Sequence, residues 1–286
     1  MQVYLCRRWN RNFSDGLLVF HLSIPFTKSI FLDLYDAKEL NWLKALGIHN
    51  INMPSLKPIV ILALDLDCRS EIRTHLKNIG DRLSWVKIGL QSYLRDGPDL
   101  VNEIADLGKK IFLDLKLHDI PNTMIKSLRS LSSLPIGMLT LHSSAGSEAL
   151  SRCVEEAKNS MPDVTLLGVT VLTSMDKDNL MTIGIHSNIE EQVIRLAKMS
   201  TDCGIQGIVC SPQELRLLRS RIPTRTKLVT PGIRPIGSAL EDQKRIMTPA
   251  EAKEAGADYL VIGRPILTAA DPAQALDEII RQISYD

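Results

Sequence analysis

Cysteine is scarce in this chain and follows no pattern. Cys6, Cys68, Cys153, Cys203 and Cys210 are odd in number, scattered and never spaced CxxC. That spacing argues against a disulfide framework or a zinc site and fits a reducing compartment, so a cytoplasmic protein is expected. Net charge is almost absent too: Lys+Arg 34 against Asp+Glu 33 leaves +1. Such a balance gives no global field to attract nucleic acid or an anionic membrane, so neither partner is expected and any anionic ligand must be held by local groups. Long apolar runs are missing. The nearest candidate, "GLLVFHLSIPF" at 16–26, is interrupted by His21, is too short to span a bilayer, and is followed by no A-x-A cleavage pattern. No apolar run is followed by GxGxxG or a P-loop, which speaks against an open dinucleotide-binding sheet.

What the chain has is repetition. With 286 residues, 44% hydrophobic and 23% charged, it reads as an ordinary globular chain whose length suits one α/β barrel as well as two smaller domains. The repeat pattern decides between them. Apolar runs occur at "IVILAL" (59–64), "WVKIG" (85–89), "KIFLDL" (110–115), "GMLTLH" (137–142), "TLLGVTVL" (165–172), "GIVC" (207–210), "KLVT" (227–230) and "YLVIG" (259–263). Between them lie segments of helical period such as "RSEIRTHLKNI", "PDLVNEIADLG" and "IEEQVIRLAKMSTDCG", several ending at glycine as helix C-caps prefer. Eight βα units predict a single (β/α)8 TIM barrel. No proline-rich linker, charge block or low-complexity tract interrupts 55–286. That span is therefore expected to form one barrel domain, and residues 1–54 an extension outside it, poorly ordered or non-native.

The strand ends carry the chemistry. In "FLDLKLHDIPNT", residues 112 to 123, the ionisable residues Asp114, Lys116, His118 and Asp119 crowd the end of a run that otherwise reads as buried strand. Period-two geometry sends Asp114 and Lys116 to one side and Leu113 and Leu115 to the other, toward the helices. Lys87 lies in the second run, "WVKIG", and Asp65 and Asp67 follow the first. Any one of these charges reads as a solvated strand terminus. Charge converging from three neighbouring strand ends reads as a site, because barrels of this class meet their ligands at the C-terminal mouth. At the ends of the seventh and eighth runs come "LVTPGIRP" and "VIGRPI", with glycine separated by one residue from arginine in the first and next to it in the second. Those two loops are the usual phosphate position of such a barrel, where glycine lets backbone N–H groups approach and arginine offers a planar fork.

Lys87, "DLKLHDIPNT", "VTVLTSM" (169–175), "TPGIRP" with "DQKR" (242–245), and "IGRP" follow one another in an order that resembles the orotidine 5′-phosphate decarboxylase family over roughly residues 57 to 285. No orotate phosphoribosyltransferase domain accompanies them, so the likeness is to the monofunctional bacterial form. The resemblance implies a (β/α)8 barrel working as a homodimer with active sites shared across the interface, without metal or cofactor. It implies decarboxylation of the small-molecule substrate orotidine 5′-phosphate to UMP, the last step of de novo pyrimidine synthesis. It makes Lys87, Asp114, Lys116 and Asp119 the catalytic network of alternating charge, with Lys116 as proton donor. Asp65 and Lys87 would hold ribose hydroxyls, Asp119, Ile120 and Thr123 would reach into the partner's site, and Ser174 would touch the pyrimidine. Arg234, Gln243, Gly263 and Arg264 would surround the phosphate. His118 receives no role and is expected to be a structural, hydrogen-bonded histidine.

These residue types suit that chemistry. Loss of CO2 from C6 of a pyrimidine leaves an sp2 carbanion that no π-system can absorb, so it must be stabilised electrostatically. An ammonium fixed beside C6 by flanking carboxylates does this and then delivers the proton. Two other readings stay open. A Mg2+-dependent relative such as 3-keto-L-gulonate 6-phosphate decarboxylase or hexulose phosphate synthase shares D-x-K-x-x-D, but it needs a further carboxylate where this chain has Lys87. A catalytically silent phosphate-binding barrel would bind UMP without turnover, against which stands the filling of every catalytic position.

Overall fold

The computed structural model describes residues 58–235 and 246–284, so the expected extension 1–54 lies outside them. Eight parallel strands close into a barrel in chain order, with the last pairing to the first. They are β1 (Ile59–Ala63), β2 (Trp85–Gly89), β3 (Lys110–Leu117), β4 (Met138–His142), β5 (Thr165–Val169), β6 (Gly207–Val209), β7 (Lys227–Thr230) and β8 (Tyr259–Ile262). The main helices between and after them are α1 (Arg69–Ile79), α2 (Leu90–Asp106), α3 (Pro121–Leu131), α4 (Ser147–Ser160), α5 (Lys177–Thr182) and α6 (Ile189–Asp202). They continue with α7 (Leu215–Arg219), α8 (Pro249–Glu254), α9 (Arg264–Leu267) and α10 (Pro272–Ser284).

The strands are apolar on both faces because both faces are covered. Val60, Leu62, Leu113, Leu139 and Leu141 point outward into the layer shared with the helices, while Ile61, Ala63, Phe112, Met138, Leu167, Val229 and Val261 fill the barrel interior. Each such Val, Leu, Ile, Phe or Met side chain contributes about 1.5–3 kcal/mol when fully buried. Toward the strands' N-terminal ends, Trp85 and Tyr259 meet edge to face at 6.0 Å and pack against that interior cluster, with Lys110 Nζ 5.8 Å from the indole centre. Side chains thus plug the interior at that end.

Two strand ends depart by more than one residue from the run expected of them. β5 stops at Val169 rather than 172: the Thr170 N–H and hydroxyl both donate to the Val209 carbonyl, at 3.5 and 3.3 Å, and a turn follows at Thr173 and Ser174. β3 runs on to Leu117 but not regularly: Leu113 pairs with Leu139 and Leu117 with Leu141, so four steps on β3 match two on β4. Lys116 sits within this bulge with φ 49°, the positive-φ non-glycine among the described residues. Strict period-two geometry therefore fails at Lys116, although its side chain still arrives where that geometry aimed it.

Candidate active site

A cavity of about 380 Å3 opens at the C-terminal mouth, its polar wall formed by Asp65, Lys87, Asp114, Lys116, Arg234 and Arg264. Its apolar wall includes Ala63, Phe112, Val169, Val171, Val209 and Val261. The polar groups form a chain of alternating sign. Lys87 Nζ donates to both Asp65 carboxylate oxygens at 3.1 Å and lies 3.5 Å from Asp114 Oδ2, while Lys116 Nζ donates to both Asp114 oxygens at 2.9 Å. Asp114 and Lys87 are buried, whereas the side chains of Asp65 and Lys116 are 48% and 39% exposed. The inner pair is thus fixed and the outer ends face the cavity.

Asp114 is the centre of this chain. Burial pushes its carboxyl group toward the neutral form, but Lys87 and Lys116, with hydrogen bonds from Lys116 and Thr140, outweigh that and hold it below the ordinary value of 3.8. It therefore stays ionised at neutral pH. A buried carboxylate between two ammonium groups is costly to assemble unless every lone pair is used, and Thr140 completes the set by donating to Asp114 Oδ1 at 3.0 Å. Gly89, opposite Asp114 in the β2–β3 register, is required by close approach: a Cβ there would stand 2.5 Å from Asp65 Oδ1 and 2.8 Å from Lys87 Nζ.

The phosphate-type loops are in place around the same cavity. Arg234 follows β7, is buried, donates from Nη1 to the Ile233 carbonyl at 3.0 Å and, through its backbone N–H, to the Met247 carbonyl at 2.9 Å. Gly263 and Arg264 follow β8 at the start of α9, and a Cβ on Gly263 would stand 3.3 Å from that of Ala63. Gly232, Gly263, Arg234 and Arg264 all line the cavity. Gln243 lies outside the described residues.

Other expected residues stand apart from this wall. Ser174 is exposed, next to the cavity-lining Thr173. Asp119, Ile120 and Thr123 are exposed at the start of α3, and Asp119 Oδ1 accepts from the Ile120 N–H at 2.6 Å within its own loop. Asp67 leaves the network for Gln91 Nε2 at 2.9 Å. His118 is exposed and stacks on His142, ring centres 5.0 Å apart and planes 18° apart, so the contact found for it is a ring stack where a hydrogen bond was expected. Burial, then His118 and Lys116, lower the pKa of His142, and its Nδ1 accepts from the Ser144 N–H at 3.3 Å. Thr140 and Gly89 were not anticipated. Their signals were a single hydroxyl on the inward face of "MLTLH" and a glycine two residues past Lys87.

Among the described residues no group of three or more His, Cys, Asp or Glu side chains is placed to hold a metal ion, and no helix is long and apolar enough to cross a membrane. The arrangement offers two guanidinium groups after β7 and β8 and, in the same cavity, an ammonium held by a buried carboxylate.

A family model described as Orotidine 5′-phosphate decarboxylase / HUMPS family matches residues 58–279. The chain is 48% identical over 224 residues to an orotidine 5′-phosphate decarboxylase of Opitutus terrae, covering 78% of this chain and 97% of that protein. It is 43% identical over 232 residues to the enzyme of the same name from Pseudomonas putida, covering 81% and 99%. Among solved structures, an orotidine 5′-phosphate decarboxylase from Lactobacillus acidophilus superposes with a TM-score of 0.72 at 35% identity, over 80% of this chain and 100% of the other.

Proposed function

The chain belongs to the orotidine 5′-phosphate decarboxylase family, and from that premise we propose how its residues carry out the conversion of orotidine 5′-phosphate to UMP and CO2, the last step of de novo pyrimidine synthesis. The carrying observation is the buried Asp114 clamped between Lys87 and Lys116 in a cavity also lined by Arg234 and Arg264. The phosphate is held by the loops after β7 and β8, with Gln243 as a further contact. Asp65 and Lys87 take ribose hydroxyls and Ser174 the pyrimidine. The C6 carboxylate then lies against Asp114, a like charge that raises the ground state, with the strain offset by binding of the remote phosphate. The C6–carboxylate bond breaks, CO2 departs and the electron pair stays on C6. The Lys116 ammonium, already charged and held at 2.9 Å from Asp114, stabilises that pair without reorganisation and passes one proton to C6. Solvent at the half-exposed Lys116 then restores the ammonium. In this scheme the charges that stabilise the carbanion come from protein side chains.

We read the working unit as a homodimer in the cytoplasm, with the catalytic barrel spanning 55–286 and residues 1–54 lying outside it. Asp119, Ile120 and Thr123 are exposed at the same mouth as Leu90 and Leu94, and Ile120, Leu90 and Leu94 are 67%, 52% and 75% exposed. Such apolar exposure beside charged groups suits a two-fold contact that carries Asp119 into the neighbouring site. The test is subunit mixing. Lys116→Ala and Asp119→Ala are each expected to be nearly inactive, and an equal mixture unfolded and refolded should give roughly half heterodimers, each with one intact site, hence about a quarter of wild-type activity per site. A mixture that stays inactive although size measurements show exchanged dimers would place Asp119 in its own subunit's site. UMP and CO2 formed in equal amounts by the wild type test the reaction itself.

A further inference from the structure

Thr140 lies on β4 facing the barrel interior, is fully buried, and forms no part of the cavity wall. Its hydroxyl makes two contacts to one neighbouring strand. It accepts from the Lys116 backbone N–H at 2.8 Å and donates to Asp114 Oδ1 at 3.0 Å. Lys116 is the residue that occupies positive φ in the β3 bulge, a conformation that costs a side-chain-bearing residue energy and persists only where its surroundings dictate it. A bulge re-aims a side chain. Here it turns the Lys116 ammonium back onto the carboxylate two residues before it, and the hydroxyl that holds the turned backbone also fixes that carboxylate.

We propose that Thr140 is a positioning residue for the decarboxylation: one hydroxyl locks both the bulge that aims Lys116 and the Asp114 carboxylate that receives it, which sets the ammonium where C6 is protonated. This rests on Lys116 being the proton donor. Thr140 touches neither the cavity nor the phosphate loops, so its loss bears on the chemical step and leaves substrate binding alone. The inward residue before it on β4, Met138, and its pairing partner on β5, Leu167, are apolar, so neither offers a hydroxyl in its place.

The experiment compares Thr140→Val, which keeps shape and removes the hydroxyl, with Thr140→Ser, which keeps the hydroxyl. Expected for the valine variant is a fall in kcat of roughly 10- to 100-fold, as for a displacement of about 1 Å at a reacting group. Its KM for orotidine 5′-phosphate and its UMP dissociation constant are expected to stay within threefold of wild type. The serine variant is expected to recover kcat to within about threefold. A folded valine variant with wild-type kcat overturns the proposal, and a serine variant as impaired as valine assigns the loss to packing. A crystal structure of Thr140→Val gives a readout independent of turnover. Separation of Lys116 Nζ from Asp114 is expected, and an unchanged pair with Lys116 still at positive φ overturns the proposal. A wild type that fails to convert orotidine 5′-phosphate would bring down the assigned reaction instead, leaving the structure to decide the positioning.

Discussion

Replacing Gly89 by alanine tests the electrostatic chain without removing any charge. Gly89 has φ −85° and ψ 176°, a backbone conformation that alanine adopts freely, so the substitution introduces no dihedral strain. What it introduces is volume. The new Cβ would lie 2.5 Å from Asp65 Oδ1, against the 3.4 Å at which ordinary contacts begin, a shortfall of 0.9 Å; toward Lys87 Nζ the distance is 2.8 Å and the shortfall 0.6 Å. Asp65 is half-exposed and Lys87 is buried, so Asp65 is the group that swings away into solvent. Lys87 then keeps Asp114 and loses its bidentate partner. A displacement near 1 Å in a positioned group costs on the order of 10- to 100-fold in rate, and that is the expected fall in kcat/KM for orotidine 5′-phosphate. Stability should hardly suffer, because the glycine-to-alanine change at a compatible dihedral restrains the unfolded chain by about 0.4–1 kcal/mol and offsets part of the crowding. The assay is the loss of orotate absorbance, run beside a thermal melt. An alanine variant with kcat/KM within twofold of wild type would refute the idea that the Asp65–Lys87 contact sets the geometry. A collapse of the melting temperature would show that crowding propagates into the barrel wall.

Arg264→Ala removes a guanidinium from the phosphate side of the cavity. The charge-assisted contact is worth about 1.5–3 kcal/mol, so kcat/KM should fall roughly 10- to 150-fold with KM raised, and unchanged kinetics would move the phosphate elsewhere. Asp114 makes stability depend on acid: its folded-state pKa is depressed, so it stabilises the fold fully above the ordinary value of 3.8, and this contribution is lost as pH falls through the lower folded value. Asp114→Asn lacks this contribution, so the two proteins should differ most in denaturant midpoint at neutral pH and converge below about pH 4. Parallel curves over that range would show that Asp114 is not held ionised by its neighbours.

The barrel was legible because parallel strands covered on both faces leave unmixed aliphatic runs such as "IVILA" and "YLVI", which few other folds produce eight times. The charges at the strand ends were legible because Asp114 and Lys116 in an apolar run have no other physical excuse. The backbone at Lys116 was not, since nothing in "DLKL" distinguishes a regular strand from a bulge whose amide bonds to a hydroxyl on the next strand. Thr140 was missed for the same reason: a threonine within a strand is common, and only the pairing of β3 with β4 reveals what its hydroxyl meets. Gly89 reads as the plain end of the "WVKIG" run until the carboxylate and ammonium beside it are seen in three dimensions. The roles of Asp119, Ile120 and Thr123 were read through family likeness alone, because residue spacing says nothing of a second chain.

The central claim is that Lys116, charged and held by Asp114, protonates C6 in a reaction run by protein groups alone. Wild type and Lys116→Ala, both treated with EDTA, are mixed with orotidine 5′-phosphate and followed by absorbance. The account predicts full turnover by the metal-stripped wild type and a loss of several orders of magnitude in the folded alanine variant, and it is contradicted by a wild type that stops until metal is returned or by a variant that keeps a tenth of the rate.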